Sequence, residues 1–242
     1  MQEHKKSYIT HDIKIPEIIS GNPFLILMLE HLEIGLGLQE KTISDLCKEN
    51  NIDEGLFLTM INLYAGNTPS ETVSYSPGVI GKIILYLRNS HQYYLEEKYP
   101  LIKSYIEEIN SLNNGSREIK MIGMFFENYF REVSEHLDYE NSIVFPYVTS
   151  LNDILNGKED FKAGNYSVKD YLEHHNDIEE KLEDLYNLLI RYIPQKNDGR
   201  LRRKLLFALF ELEYDLKIHS MIEEKILIPL VEEMEFIRNS SL

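Results

Sequence analysis

The chain has 242 residues, 43% of them hydrophobic, and a formal net charge of −15. This length supports one large core, or an ordinary domain with a small one beside it. The acidity argues against nucleic acid and anionic membranes as main partners, because both bind through phosphate-neutralising Lys and Arg side chains. No apolar run approaches the ~20 residues that span a bilayer, so we expect no membrane partner.

The N-terminal residues lack a signal-peptide pattern, since no apolar stretch follows the basic pair at Lys5 and Lys6. The chain has a single cysteine, Cys47, which cannot form a disulfide within the chain. Together these observations predict a cytoplasmic protein.

Three short helical segments predict a small helical N-terminal domain over residues 1–66. They cover residues 25–32, 43–50 and 57–64, with glycine-containing breaks between them. Prolines, glycines and small polar residues dominate residues 66–78 and oppose any regular element. We place a domain boundary there.

Four long segments with helical periodicity follow, within a second domain over residues 79–242. Segment A covers 79–112, segment B 117–151, segment C 168–193 and segment D 201–238. No strand-type alternation persists in this half of the sequence. Short breaks between A and B and between C and D predict an all-α fold, an antiparallel up-down four-helix bundle.

Segments B and D carry the same motif, His-x-x-x-Glu with a proline six residues after the glutamate. The two copies are His136, Glu140 and Pro146, and His219, Glu223 and Pro229. Positions i and i+4 share one face of a helix and lie about 6 Å apart, so each pair can reach one metal ion. Each proline predicts a kink or an end of its helix.

Two further histidines, His91 in segment A and His175 in segment C, lie at matched distances from the predicted turns. His91 precedes His136 by 45 residues, and His175 precedes His219 by 44. Both midpoints fall in the A–B and C–D breaks. In an up-down bundle the four histidines then lie in one layer, about 33 Å from those turns.

All six side chains interrupt apolar helical stripes, which places them in the core. Burying them is costly without a partner, and a metal ion neutralises carboxylates and takes imidazole lone pairs. The predicted metal ligands are His91, His136, Glu140, His175, His219 and Glu223. They exceed the needs of one tetrahedral zinc and suit two bridged ions, with iron or manganese favoured over calcium or magnesium.

Other histidines are weaker candidates. His174 competes with His175, but its helical neighbours are charged, so we favour His175. His4, His11 and His31 lie in the small domain without partners by spacing, and we interpret them as surface or local residues.

The order and spacing of the six residues resemble the hemerythrin-like HHE cation-binding domain. With the small domain in front, the chain is most similar to the iron–sulfur cluster repair di-iron (RIC) family over nearly its whole length. The resemblance implies a non-haem centre of two iron ions, oxo- and carboxylate-bridged, in which Glu140 and Glu223 bridge. Manganese or zinc are the alternative metals.

The resemblance also implies ligand pairing and function. His91 and His136 would bind one iron, and His175 and His219 the other, with Glu132 as a carboxylate on an iron path. Proteins of this family are associated with recovery from nitric oxide and oxidative damage and with donating iron to damaged iron–sulfur clusters. The implied partners are O2, NO or peroxide, and damaged iron–sulfur proteins.

The chain departs from that family in its small domain. The family carries a Cys-Cys pair after a His-Gly-Ile-Asp-like stretch. Here the corresponding stretch begins at His31, and Gly35-Leu36 occupies the place of the cysteines. A function that needs the thiol pair is therefore not expected, and docking or homodimer formation is the alternative role of this domain.

Two other functions fit the same residues, and whether the protein is an enzyme stays open. One is a hemerythrin-type O2- or NO-binding or redox-sensing protein without turnover. A long-lived oxygen carrier is disfavoured, because no histidine follows His175 by one turn in segment C. The other is a metal-free structural bundle.

Overall fold

A computed structural model describes residues 8–68, 73–113, 116–158, 166–174, 180–192 and 197–240. Within these ranges the regular structure is helical, which confirms the all-α prediction. The α-helices are α1 Ile15–Gly21, α2 Leu25–His31, α3 Ile43–Asn50, α4 Glu54–Tyr64, α5 Pro77–Gln92, α6 Tyr99–Leu112, α7 Arg117–Tyr139, α8 Phe145–Leu155, α9 Val168–His174, α10 Glu180–Arg191, α11 Gly199–Ile222 and α12 Ile228–Ser240. Three π-helical turns join them: π1 Tyr93–Lys98, π2 Glu140–Val144 and π3 Glu223–Leu227.

Side-chain caps explain where several helices begin. Thr42 and Asp45 form a reciprocal capping box at the start of α3. The capping signal at the start of segment C is also present, since the Asp170 carboxylate accepts a hydrogen bond from the Ser167 backbone N–H at 2.8 Å. Each cap satisfies backbone N–H groups that a helix start leaves without an intrahelical acceptor.

The long helices continue through their prolines by widening into π turns. Pro100, Pro146 and Pro229 each lie at the start of the α-helix that follows a π turn. The Ile228 N–H bonds the carbonyl of Glu223, five residues back. Proline cannot donate to the carbonyl four residues earlier, and its ring clashes with that carbonyl in a regular α-helix. A wider turn before the proline relieves this conflict, so the helices do not end there.

The chain divides into two compact units. The first comprises the described residues of Met1–Asn89, Ile143–His174 and Ile218–Leu242. In it α2 and α3 pack on α4, and α12 packs on α8 and α9. The boundary placed between residues 66 and 79 stays a prediction.

The second unit comprises the described residues of Ser90–Ser142 and His175–Lys217. In it α7 packs on both α6 and α10. A ring contact joins α10 to α11, where the ring centroids of Tyr186 and Phe210 lie 4.9 Å apart. A second contact joins α11 to α6, where the Lys204 ammonium lies 5.5 Å from the centroid of the Tyr105 ring. Contacts therefore link α6 to α7, α7 to α10, α10 to α11, and α11 back to α6.

Candidate metal centre

Glu140 lies between two imidazoles. It is fully buried at the first position of π2, one turn after His136 on the same helical run. Its Oε1 lies 3.2 Å from Nε2 of His136, and its Oε2 lies 3.4 Å from Nε2 of His91. One carboxylate thus presents each of its oxygens to a different imidazole, the arrangement in which a carboxylate can bridge two ions.

Glu223 repeats this geometry in the second copy of the motif. It is fully buried at the first position of π3, and its Oε2 lies 3.5 Å from Nε2 of His219. Both glutamates therefore begin a π turn, and both face the histidine one turn earlier. Single π turns inside α-helices frequently mark functional sites.

Three predicted ligands meet in one group. His91, Glu140 and His219 offer ligand atoms that all lie within 4.8 Å of one another, and all three side chains are buried. Two ligand atoms of one ion lie about 3 to 4 Å apart when each bond is about 2.1 Å long. The group is therefore close to the size that a single ion requires, and it could bind a metal.

Five of the six predicted ligands belong to the described part of the chain. His91, Glu140, His219 and Glu223 are buried, and His136 keeps 11% of its side-chain surface exposed. His175 lies outside the described residues, and so does the side chain of His174, so the choice between these two stays a prediction.

The grouping bears on which imidazoles share an ion. The resemblance pairs His91 with His136, whereas the group within 4.8 Å contains His91 and His219. His136 lies on the other oxygen of Glu140. This geometry favours a shared ion for His91 and His219.

The donor set fits iron or manganese. It consists of imidazole nitrogens and carboxylate oxygens, the mixture these metals accept, while calcium and magnesium prefer oxygen alone. The only sulfur of a cysteine belongs to Cys47, which lies in α3 outside the group. Burial would keep bulk water away from a bound ion and would strengthen its attraction to the two carboxylates.

Glu132, expected beside the ligands or on an iron path, is half-exposed and forms an ion pair with Lys181, and its role stays a prediction. His31, interpreted as a surface or local residue, is only 1% exposed, because α2 buries it against Tyr86 with ring centroids 5.3 Å apart. His11 is exposed, as expected.

Two hydrogen-bonded tyrosines beside His91 escaped the sequence analysis. Tyr94 donates to Asp215, and Tyr93 donates to Glu211. A signal was present, since Glu211 and Asp215 precede His219 at intervals of four residues on one helix face.

No protein-family model matches the sequence, and comparison with curated proteins gave no significant match. The geometry of the site is therefore the basis for a functional proposal. Among the described residues, no helix combines the length and apolar character needed to cross a lipid bilayer.

Proposed function

We propose that this chain is a non-haem di-iron protein of the hemerythrin-like type. The observation that supports this proposal most directly is the buried Glu140 carboxylate, one oxygen of which faces His136 and the other His91. The buried group of His91, Glu140 and His219, whose ligand atoms lie within 4.8 Å of one another, also supports this proposal.

The proposed architecture is an antiparallel up-down four-helix bundle over segments A to D. It is supported by the contacts that link α6, α7, α10 and α11 in sequence and return to α6. Neighbouring antiparallel helices in a bundle of this kind place side chains from all four segments around one core layer.

The proposed ligand scheme follows the described distances. His91, His219 and Glu140 would hold one ion, and His136, which faces the other oxygen of Glu140, would hold the second. Segment C would add an imidazole, favoured as His175, and Glu223 would add the second carboxylate. When bound, the iron pair supplies one-electron redox chemistry and open positions for O2, NO or peroxide.

The residues of the chain have defined tasks in this proposal. The imidazoles and carboxylates hold and orient the ions, and the apolar stripes around them exclude water. The π turns set the positions of Glu140 and Glu223 relative to the histidines that precede them. The resulting protein would act in the response to nitric oxide and oxidative stress, with iron donation to damaged iron–sulfur clusters as its specific role.

Metal analysis tests the site itself. Protein purified without chelators is expected to hold about two irons per chain, and Glu140→Ala is expected to lower iron affinity at least tenfold. Glu224→Ala is the matched control, because Glu224 is the exposed neighbour of Glu223. Equal iron content in the two variants, or no iron in the wild type, would refute the proposed centre.

A reconstitution assay tests the role. The iron-loaded chain is mixed with an enzyme whose iron–sulfur cluster has been damaged by nitric oxide, and recovery of that enzyme's activity is followed. Recovery above that given by free iron supports repair, while no recovery at full iron loading rejects it. A long-lived oxygen adduct of the reduced chain in stopped-flow spectra would instead favour the binding or sensing function.

A further inference from the structure

Tyr94 and Asp215 form a buried phenol–carboxylate pair in the second unit. The Tyr94 hydroxyl donates to Oδ2 of Asp215 at 2.8 Å, and both side chains have no measurable exposure. Burying a carboxylate is costly, and a hydrogen bond from the Tyr94 hydroxyl offsets part of that cost. Two apolar side chains at these positions would hold the helices together with a smaller desolvation penalty. The polar pair is therefore a candidate for a chemical role.

A second pair of the same kind lies beside the first. The Tyr93 hydroxyl donates to Oε1 of Glu211 at 2.7 Å, and the Lys98 ammonium lies 2.7 Å from the same oxygen. The rings of Tyr93 and Tyr94 lie 5.8 Å apart between centroids. Glu211 keeps 34% of its side-chain surface exposed, so this second pair reaches solvent while the first does not.

The two pairs extend from the candidate metal centre. Tyr94 follows His91 by three residues along one helical run, and positions three apart are neighbours on a helix surface. On α11, Glu211, Asp215 and His219 are spaced by four residues and share one face. Along α11, going away from His219, Asp215 comes first and Glu211 second, so the carboxylate of the buried pair lies one turn from that ligand and the carboxylate of the partly exposed pair lies two turns from it. On the other helical run, Tyr93 lies between His91 and Tyr94 in the sequence.

We propose that Tyr94 and Tyr93 form an electron relay between the buried metal centre and solvent, in which each phenol passes its proton to its carboxylate partner. This inference rests on the proposed di-iron function. The oxidant is hydrogen peroxide, and the electron donor is a soluble thiol.

Each passage of one electron balances. Tyr94 loses an electron toward the centre, and its phenolic proton moves to Asp215. An electron from Tyr93 then refills Tyr94, which recovers its proton from Asp215, while the Tyr93 proton moves to Glu211. A thiol reduces Tyr93, which recovers its proton from Glu211. Two passages, with the two protons that two thiols release, reduce one hydrogen peroxide to two waters and leave one disulfide.

The surroundings of Tyr93 agree with proton-coupled oxidation. Tyr93 is only 8% exposed, and removing an electron from a buried phenol requires a nearby proton acceptor. The carboxylate oxygen at 2.7 Å is such an acceptor.

Electron paramagnetic resonance tests the relay directly. The iron-loaded chain is mixed with hydrogen peroxide and frozen, and tyrosyl radical is identified by the spectral change in protein made with ring-deuterated tyrosine. Tyr94→Phe is expected to lower the radical yield at least tenfold. Tyr93→Phe is expected to keep the radical and lengthen its lifetime, because the radical then remains on Tyr94.

Two further variants make the test decisive. Asp215→Asn keeps a hydrogen-bond acceptor but removes the proton acceptor, so its radical yield is also expected to fall at least tenfold. Tyr147→Phe is the matched control, because the Tyr147 hydroxyl also donates to a carboxylate, Glu235 at 2.5 Å, but lies in the first unit. Its radical yield is expected to equal that of the wild type.

Iron content is measured on every sample, because it distinguishes failure of the di-iron proposal from failure of the relay proposal. A chain that binds no iron overturns both the di-iron function and the relay. An iron-loaded chain without a tyrosyl radical, or with a radical that survives both Tyr94→Phe and Asp215→Asn, overturns the relay alone.

Discussion

At the scale of single residues, Cys47 shows how burial decides chemistry. It is 3% exposed in α3, and burial raises the pKa of its thiol from 9.0 to about 12. The nearby carboxylates of Glu54 and Asp53 act in the same direction. The thiolate is the reactive form, so this cysteine cannot supply the chemistry of a reactive thiol.

We therefore predict that Cys47 is inert in the folded protein. A rise of the pKa from 9.0 to about 12 lowers the thiolate fraction at neutral pH about a thousandfold. Reaction with a thiol-specific disulfide reagent is expected only in denaturant. Leu36→Cys is the control, because Leu36 is 66% exposed. Fast labelling of Cys47 in the native wild type would contradict the prediction.

At the scale of helices, the prolines lie where the chain tolerates them. Pro229 occupies the first turn of α12, directly after π3. Proline inside a regular α-helix costs about 3 kcal/mol or more, whereas the first turn accepts it. The π turn thus lets one helical run continue past a residue that would otherwise break it.

We predict that Pro229→Ala changes the free energy of unfolding by less than about 1 kcal/mol, because π3 already relieves the proline's clash. Urea denaturation of the full chain measures this change. Phe207→Pro is the contrasting variant, since Phe207 is 67% exposed within the regular helix α11, and a loss of about 3 kcal/mol or more is expected there. A gain of about 3 kcal/mol from Pro229→Ala would show that the proline is strained.

Most of the helices were predictable from the sequence because apolar residues recur along them at helical spacing. The predicted segment 43–50 coincides with α3, and segment A corresponds to the continuous run from α5 to α6. Helix α1 was not predicted, because its seven residues include Pro16 and Gly21, which a sequence pattern interprets as breaks. The π turns were also missed, because a proline predicts an interruption without showing how the backbone relieves it.

Side-chain positions near those turns show the consequence. Helical periodicity predicts Ile143 on the inward face of segment B, but it is 43% exposed, because it lies within π2, where the wider turn shifts it off the α-helical stripe. Periodicity also predicts Leu172 on the inward face of segment C, but it is 47% exposed, whereas its neighbour Tyr171 is buried. The histidines and glutamates that precede or begin the turns kept their predicted burial, apart from the slight exposure of His136.

Contacts between distant residues could not be predicted from periodicity. The hydrogen bond between Tyr94 and Asp215 joins residues 121 positions apart, whereas helical periodicity shows only the face of its own helix on which each residue lies. Only the packing of one helix against another decides that a phenol meets a carboxylate there. The chemistry of the relay therefore needed the structure, although the candidate ligands did not.

At the scale of the whole molecule, the candidate centre opposes stability when no metal is bound. Glu140 and Glu223 are fully buried, and burial penalises a carboxylate strongly unless a cation compensates its charge. Binding of an ion to the folded state alone reverses this effect, and adds about 2.7 kcal/mol at a free metal concentration a hundredfold above Kd.

We therefore predict that the order of stabilities changes with iron. In chelator, the double variant Glu140→Gln with Glu223→Gln is expected to be more stable than the wild type by on the order of 1–3 kcal/mol, because neutral amides cost less to bury. With free iron about a thousandfold above Kd, the wild type is expected to gain about 4.1 kcal/mol and to become the more stable, since the variant lacks both carboxylates and binds iron weakly. Urea denaturation with and without iron measures both, and Glu224→Gln should follow the wild type throughout. A double variant that is less stable than the wild type in chelator would mean that the carboxylates serve the fold itself, as in a metal-free structural bundle.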